Sequence, residues 1–254
     1  MAGKRILDED SVLKARLRDI MRLAESERKP GFVGFLDERQ AAAAHSFMES
    51  LEASGYLFWG GYEGAERVML GVFPGFQEPG AELFPISGIT ASYRDKDVLT
   101  HRDFLGALLN LGIVRETLGD ILIEEGRCVF FCRSEISDFL LSQTEKIGGV
   151  GVRLSPGAER PFPALHRFRE FTAVVASARL DCVVAAAVGT SREKAAEKIR
   201  SGLVMLNHKA VCSPSAAVIE GNRVSIRGTG RFILDAVGPV TKKGRLRIAG
   251  RKYI

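Results

Sequence analysis

Residues 189–209 read GTSREKAAEKIRSGLVMLNHK, and this stretch decides how the last third of the chain folds. Thr190 and Glu193 stand three apart in the capping-box arrangement, which predicts a helix starting there, and Gly202 ends it. At about 100° per residue, Ala195, Ala196 and Ile199 face one way, Lys194 and Lys198 share an edge, and Glu193 and Glu197 lie on a different edge. The plain reading of the two lysines is an exposed i,i+4 pair. Sorting of sign around one helix nevertheless suits docking onto phosphate better than simple solubility. The helix N-terminus beside Ser191 and Arg192 adds backbone N–H groups and a partial positive charge.

Working outward, Ser177 to Asp181 opens a helix that stays apolar through Val188 and is broken by Gly189. Strands are predicted at 203–206, 209–212, 223–227 and 231–236, with Asn207-His208 as a turn. A histidine in such a basic turn is far more often a polar contact than a catalyst. The end, Thr241 to Arg247 and then Gly250 to Tyr253, reads as a basic strand or tail, and an aromatic among cations suits backbone and base contacts.

Charge separates this part from the rest. Residues 179–254 hold 15 Lys+Arg against 5 Asp+Glu, a net of +10. The whole chain holds 36 and 31, which leaves 21 and 26, a net of −5, for residues 1–178. Such asymmetry marks a polyanion-binding module joined to a body that does something else, against the bland alternative of a solvated basic surface. No apolar run approaches the roughly 18–20 residues of a membrane span. The N-terminus turns acidic where a signal peptide would need an apolar core, so a cytoplasmic location is expected. Cys128, Cys132, Cys182 and Cys212 include no C-x-x-C pair and no histidine at ligand spacing, so they are expected as reduced thiols and no metal site is expected.

The acidic part divides again. Val12, Leu13, Leu17, Ile20 and Leu23 fall at helical spacing over 8–29, Pro30-Gly31 ends that helix, and a second helix is predicted over 37–53. A strand follows at 67–73. The middle reads as strand 83–93, helix 102–111, strands 120–124 and 127–132, helix 135–147, and strands 150–154 and 170–177, with a proline-rich loop at 155–163. That order is the βαββαβ, ferredoxin-like topology also used by the RNA-recognition motif, which stacks bases on strand aromatics. Phe130 and Phe131 are adjacent, so at most one can lie on an open sheet face, and core packing is the default for both. The octamer signature of the recognition motif is absent.

The expected fold class is therefore α+β in three small domains: an N-terminal α+β unit (1–79), a ferredoxin-like, RNA-recognition-motif-like domain (80–177) and the basic domain (178–254). A P-loop, a strand-anchored G-x-G-x-x-G and synthetase ATP signatures are all missing. Tyr62, Glu66 and Arg67, and His101, Arg102 and Asp103, carry reactive groups, but no nucleophile, base and orienter converge by spacing. No catalytic residue and no cofactor is expected.

Ser177-x-Arg179-Leu180-Asp181, Ser191-Arg192-x-x-Ala195, Ile199-x-x-Gly202-x-Val204-x-x-Asn207, Gly221-Asn222 and Ser225-Ile226-Arg227-Gly228 together resemble the RNA-binding domain of ribosomal protein S-four. His208 departs from the glycine usual after the Asn. Gly60-Gly61-Tyr62-Glu63-Gly64, the run Leu99 to Ile113 and Gly228-x-Gly230-Arg231-Phe232 with Lys242-Lys243-Gly244-Arg245 resemble the YlmH family of bacterial RNA-binding proteins over nearly the whole chain. The resemblance implies an S-four-type domain at 178–254. It also implies binding to rRNA or tRNA on the large ribosomal subunit, in translation or ribosome-associated quality control. Candidate RNA contacts are Arg179, Ser191, Arg192, Lys194, Lys198, Arg200, Asn207, Lys209, Lys242, Lys243 and Arg245. The alternative is an RNA-modifying enzyme, pseudouridine synthase-like or methyltransferase-like, using this domain to hold substrate. Arg179-Leu180-Asp181 has a superficial likeness to the synthase motif but lacks its flanking residues. The acidic half could also hold a protein partner, and the chain is expected to be a monomer.

Overall fold

Pro30-Gly31 stops the first helix, and the chain behind it turns at once into a strand. The computed structural model describes residues 2–166, 168–241 and 243–253. The chain divides into two units, Met1–Leu165 and His166–Ile254.

The first unit begins with α1 (Ala2–Glu27), β1 (Gly31–Leu36), α2 (Glu38–Ser50), β2 (Tyr56–Trp59) and β3 (Val68–Val72), the strands forming an antiparallel sheet in the order β1-β3-β2. Asp37 starts α2: its carboxylate accepts from Gln40 N at 2.8 Å, and the Gln40 side chain accepts from Asp37 N at 3.0 Å. Strand alternation then serves two cores. Leu70 and Val72 pack with Leu17, Phe47 and Met48 of the helices, while Met69 faces the other way with Phe35 and Phe73. Gly71 lies among rings, where a Cβ would come within 2.9 Å of Phe84 and 3.0 Å of Phe32 and Phe73, so the close approach requires glycine.

The middle of the chain supplies β4 (Ile86–Ser92), α3 (His101–Asn110), β5 (Leu118–Glu124), β6 (Arg127–Arg133), α4 (Ser137–Gln143), a small hairpin of β7 (Lys146–Ile147) and β8 (Val150–Gly151), and β9 (Arg153–Pro156). The sheet order is β5-β6-β4-β9, the ferredoxin-like arrangement expected from the sequence. Cys128, Phe130 and Cys132 pack under the helices, whereas Val129 and Phe131 pack against Phe35, Met69 and Phe73 of the first sheet. Burial on both faces explains the uninterrupted apolar run 128–132. Each fully buried Phe or Leu here contributes about 1.5–3 kcal/mol relative to exposure.

One expected element changes place. The strand read at 170–177, counted with the middle unit, is β10 (Phe168–Val175), and it belongs to the second unit. There it pairs antiparallel with β15 (Leu246–Tyr253) over eight residues. The second unit also contains α5 (Leu180–Val188), α6 (Arg192–Arg200), β11 (Val204–Leu206), β12 (Lys209–Ala210), β13 (Arg223–Ile226) and β14 (Gly230–Val240). Its sheet runs β10-β15-β14-β13-β11-β12, so the basic C-terminal stretch is an inner strand, not a tail. Leu180, Val183, Val184, Ala187, Ala195 and Ile199 lay both helices on one face, over Val224, Ile226, Phe232, Leu234 and Ile248.

Candidate nucleic-acid interface

The two helices of the second unit are joined by a charge clamp. Asp181, in the first turn of α5, has a side chain only 5% exposed. It accepts from Arg179 Nε and Nη2 at 3.2 and 3.3 Å, from Arg192 Nε at 2.8 Å and from Cys182 N at 2.9 Å. Burial opposes the charge, but the hydrogen bonds from Arg179, Arg192 and Cys182 and the nearby Arg192 charge hold the Asp181 carboxyl below its usual range. Arg179 and Arg192, with side chains 42% and 54% exposed, remain about half in water while serving this carboxylate. They are fixed points between the helices before they are phosphate contacts.

Helix α6 starts one residue later than its sequence signal. Ser191, not Thr190, is the N-cap, and its Oγ accepts from Lys194 N at 3.2 Å. Thr190 N is spent instead on Ala185 O at 3.0 Å, closing the end of α5. Two hydroxyls in tandem offer two caps, and the end of α5 at Gly189, in the left-handed region at φ 68°, decides between them. Ser191 is thus a capping residue.

Lys194 and Lys198 share one edge of α6, and Lys198 Nζ donates to Thr229 Oγ1 at 3.2 Å. That contact sets the lysine edge against the β13–β14 turn, where Arg227 and Arg231 are exposed. Neither arginine stood among the sequence candidates, although both flank the Gly228-x-Gly230 turn. Arg200 lies about 160° around the helix from Lys198, on the side of Glu193 and Glu197, and does not join that edge. Asn207 and His208 both adopt positive φ, 47° and 64°, in a two-residue turn between Leu206 and Lys209. Asn207 Oδ1 accepts from Arg223 N at 2.9 Å, so this side chain builds the turn, and Lys209 is exposed just after it. Lys243 and Arg245 are exposed in the β14–β15 turn, and Lys242 lies outside the described residues. This turn and the β13–β14 turn are at opposite ends of β14, eleven residues and roughly 35 Å of strand apart. The candidates therefore fall into separate groups, and it is Lys198, with Lys194 on the same helix edge, that meets the Arg227–Arg231 turn.

In the first unit the reactive residues are occupied structurally. Asp120 is buried and accepts from Tyr62 Oη at 2.8 Å, Glu66 N at 2.8 Å and Arg67 N at 3.1 Å. Arg67 in turn donates to the carbonyls of Leu118, Phe35 and Arg115, and Arg115 to those of Leu118 and Gly119. Burial, and then the Arg67 charge, bring Arg115 down to about 10. Burial pushes the Tyr62 hydroxyl and the Asp120 carboxyl up. Asp103 caps α3, accepting from Thr100 N at 2.8 Å and Thr100 Oγ1 at 2.6 Å. Phe130 and Phe131 are both buried. Tyr62 stacks on Phe131 at 5.1 Å and 19°, with Phe162 edge-on at 5.8 Å, so the face that stacks bases in recognition motifs is closed here. Among the described residues, no group of three or more His, Cys, Asp and Glu could hold a metal, and no helix is long and apolar enough to cross a membrane.

A basic helix-and-sheet unit and a closed βαββαβ unit in one chain define an α+β protein of two units, and comparison with known proteins places it among RNA-binding proteins. Residues 79–159, the βαββαβ segment, match the family described as "Putative RNA-binding domain in YlmH". The chain is 32% identical over 231 residues, 89% of its own length and 89% of the relative's, to the Bacillus subtilis (strain 168) "Ribosome-associated protein quality control protein P2". The chain belongs to the YlmH family. A solved structure, "Cell division protein ylmH from Streptococcus pneumoniae", superposes with a TM-score of 0.48 at 23% identity, covering 61% of this chain and 91% of that one.

Proposed function

We propose that this chain is a non-catalytic RNA-binding protein that works on the ribosome, contacting rRNA or tRNA of the large subunit in translation or ribosome-associated quality control. The observation that carries the reading is the contact of Lys198, on the helix edge it shares with Lys194, with the turn bearing Arg227 and Arg231, within a module of net charge +10. These cations would engage phosphates of folded RNA, giving affinity that falls steeply with salt, while RNA shape selects the site. The name of the B. subtilis relative supports the ribosomal setting. Arg179, Arg192, Ser191 and Asn207 would hold this surface in place, and Lys209, Lys243 and Arg245 would extend it. The first unit would act as a separate body, residues 1–79 closing the sheet of the matched βαββαβ segment, with its acidic surface left for a protein partner. Burial of Asp181 beneath two arginines speaks against a synthase-like nucleophile at that position.

Ultraviolet cross-linking in bacterial cells, followed by sequencing of the attached RNA, tests this. Enrichment of large-subunit rRNA or tRNA is expected. Cross-links scattered over mRNA, or none above background, would sink it.

A further inference from the structure

The sheet of the second unit has a face that the helices do not cover. Strand alternation sets Ile248, Phe232, Leu234 and Val224 under α5 and α6, so the register turns the intervening residues outward. On β10 and β15 the outward pairs are Phe168 with Tyr253, Glu170 with Arg251, Thr172 with Ala249 and Val174 with Arg247. On this face Phe168 remains 36% exposed and Val174 43% exposed.

The aromatics on this face are grouped and carry cations. Phe168 and Tyr253 have centroids 4.9 Å apart, and His166 meets Tyr253 edge-on at 4.7 Å. The Arg231 guanidinium lies 4.4 Å from the Tyr253 ring and that of Arg251 lies 5.1 Å from the Phe168 ring. The face also holds two carboxylates. Asp235 takes Arg251 in two-pronged fashion at 2.9 Å, and Glu170 is paired across from Arg251. With Arg251 so neutralised, Arg231 remains as an exposed cation at the rings, and Arg247 is exposed further along the same face, six residues of β15 from Tyr253.

We propose that this outer face is a stacking platform for a single-stranded RNA segment, with bases on Phe168 and Tyr253 and phosphates on Arg231 and Arg247. Rings give a sequence-tolerant surface, because every base has a π-face, and a guanidinium over a ring is itself a partner for a base. A purely solvated face gains nothing from grouped, part-exposed rings, whereas exposed arginines beside rings suit a polyanion whose bases can stack. The platform lies on the sheet face away from the helices and shares Arg231 with the β13–β14 turn that Lys198 meets. It rests on the RNA-binding reading of this unit and extends it from folded RNA to an unpaired strand.

The test uses the full chain and a fluorescein-labelled ten-nucleotide oligouridine, followed by fluorescence anisotropy. Phe168→Leu with Tyr253→Leu keeps apolar bulk on the sheet but removes both rings, and melting temperature confirms the fold. Oligouridine affinity should fall about ten- to hundredfold, the loss expected for one or two stacked bases. Phe168→Trp should retain wild-type affinity. Unchanged affinity in the double leucine variant overturns the platform. So does failure of the wild type to bind oligouridine while it still sediments with purified large subunits, an outcome that leaves the ribosomal reading intact. Failure to bind either probe overturns both.

Discussion

Replacing Asp120 by asparagine should cost the first unit about 3 kcal/mol. The carboxylate accepts three hydrogen bonds, from Tyr62 Oη and from the backbone N–H groups of Glu66 and Arg67. Bonds to a charged acceptor are worth about 1.5–3 kcal/mol each. Asparagine retains one oxygen, which can keep the Tyr62 and Glu66 donors. Its amide then points a donor at Arg67 N–H, and the negative charge facing the half-buried Arg67 and Arg115 is lost. One bond lost, one donor opposed and two guanidiniums left repelling each other give the estimate. Tyr62→Phe removes a single bond and should cost about 1–2 kcal/mol. Trp59, the only tryptophan of the chain, packs in the same aromatic cluster as Tyr62, so its fluorescence reports unfolding of this unit during a urea titration. For a unit of this size the asparagine variant should also lose roughly 6–12 °C in Tm. A loss below about 1 kcal/mol for Asp120→Asn, or a larger one for Tyr62→Phe, would refute the idea that this carboxylate is the hub of the unit.

Lys194→Glu with Lys198→Glu should leave Tm within a degree or two and lower the slope of log affinity against log salt for large-subunit binding by about 2, one per lost phosphate contact; an unchanged slope removes these lysines from the interface. Arg192→Glu should instead lower Tm in the absence of RNA, because it sets a carboxylate against Asp181. Asp181 has its folded pKa held below the unfolded value, so its contribution is complete above about pH 4 and disappears as pH falls through the folded value. Amide protection factors in α5 and α6, corrected for the pH dependence of intrinsic exchange, should therefore fall on acidification below pH 4 in the wild type, and Asp181→Asn should show that loss already at pH 7. Gly71→Ala drives a Cβ into three rings and should destabilise the first unit by about 1–3 kcal/mol in the same tryptophan-monitored titration.

The sequence made the βαββαβ order and the α6 charge pattern legible because both are local: turn residues, periodicity and spacing carry them. What it hid was set by distant partners. β1 and β2 are short, six and four residues, and β1 sits against a helix stop that draws attention to the turn instead. Phe168–Val175 reads as a strand, but nothing in its residues says that its partner is Leu246–Tyr253 rather than the middle sheet. The charge count located the basic unit, yet it could not show that Arg179 and Arg192 are committed to Asp181. Nor could it show that Lys243 and Arg245 lie a full strand length from Lys198. Spacing alone does not join Arg227 and Arg231 to the lysine edge, because the Lys198–Thr229 contact that does so spans 31 residues.

Sucrose-gradient sedimentation of tagged protein from bacterial lysate, at low and high salt and with and without ribonuclease, decides the proposal that this protein acts on the large ribosomal subunit through RNA. Co-migration with the large subunit at low salt and release at high salt are expected. Protein that stays at the top of the gradient at low salt, or an association that survives both ribonuclease and high salt, would contradict it.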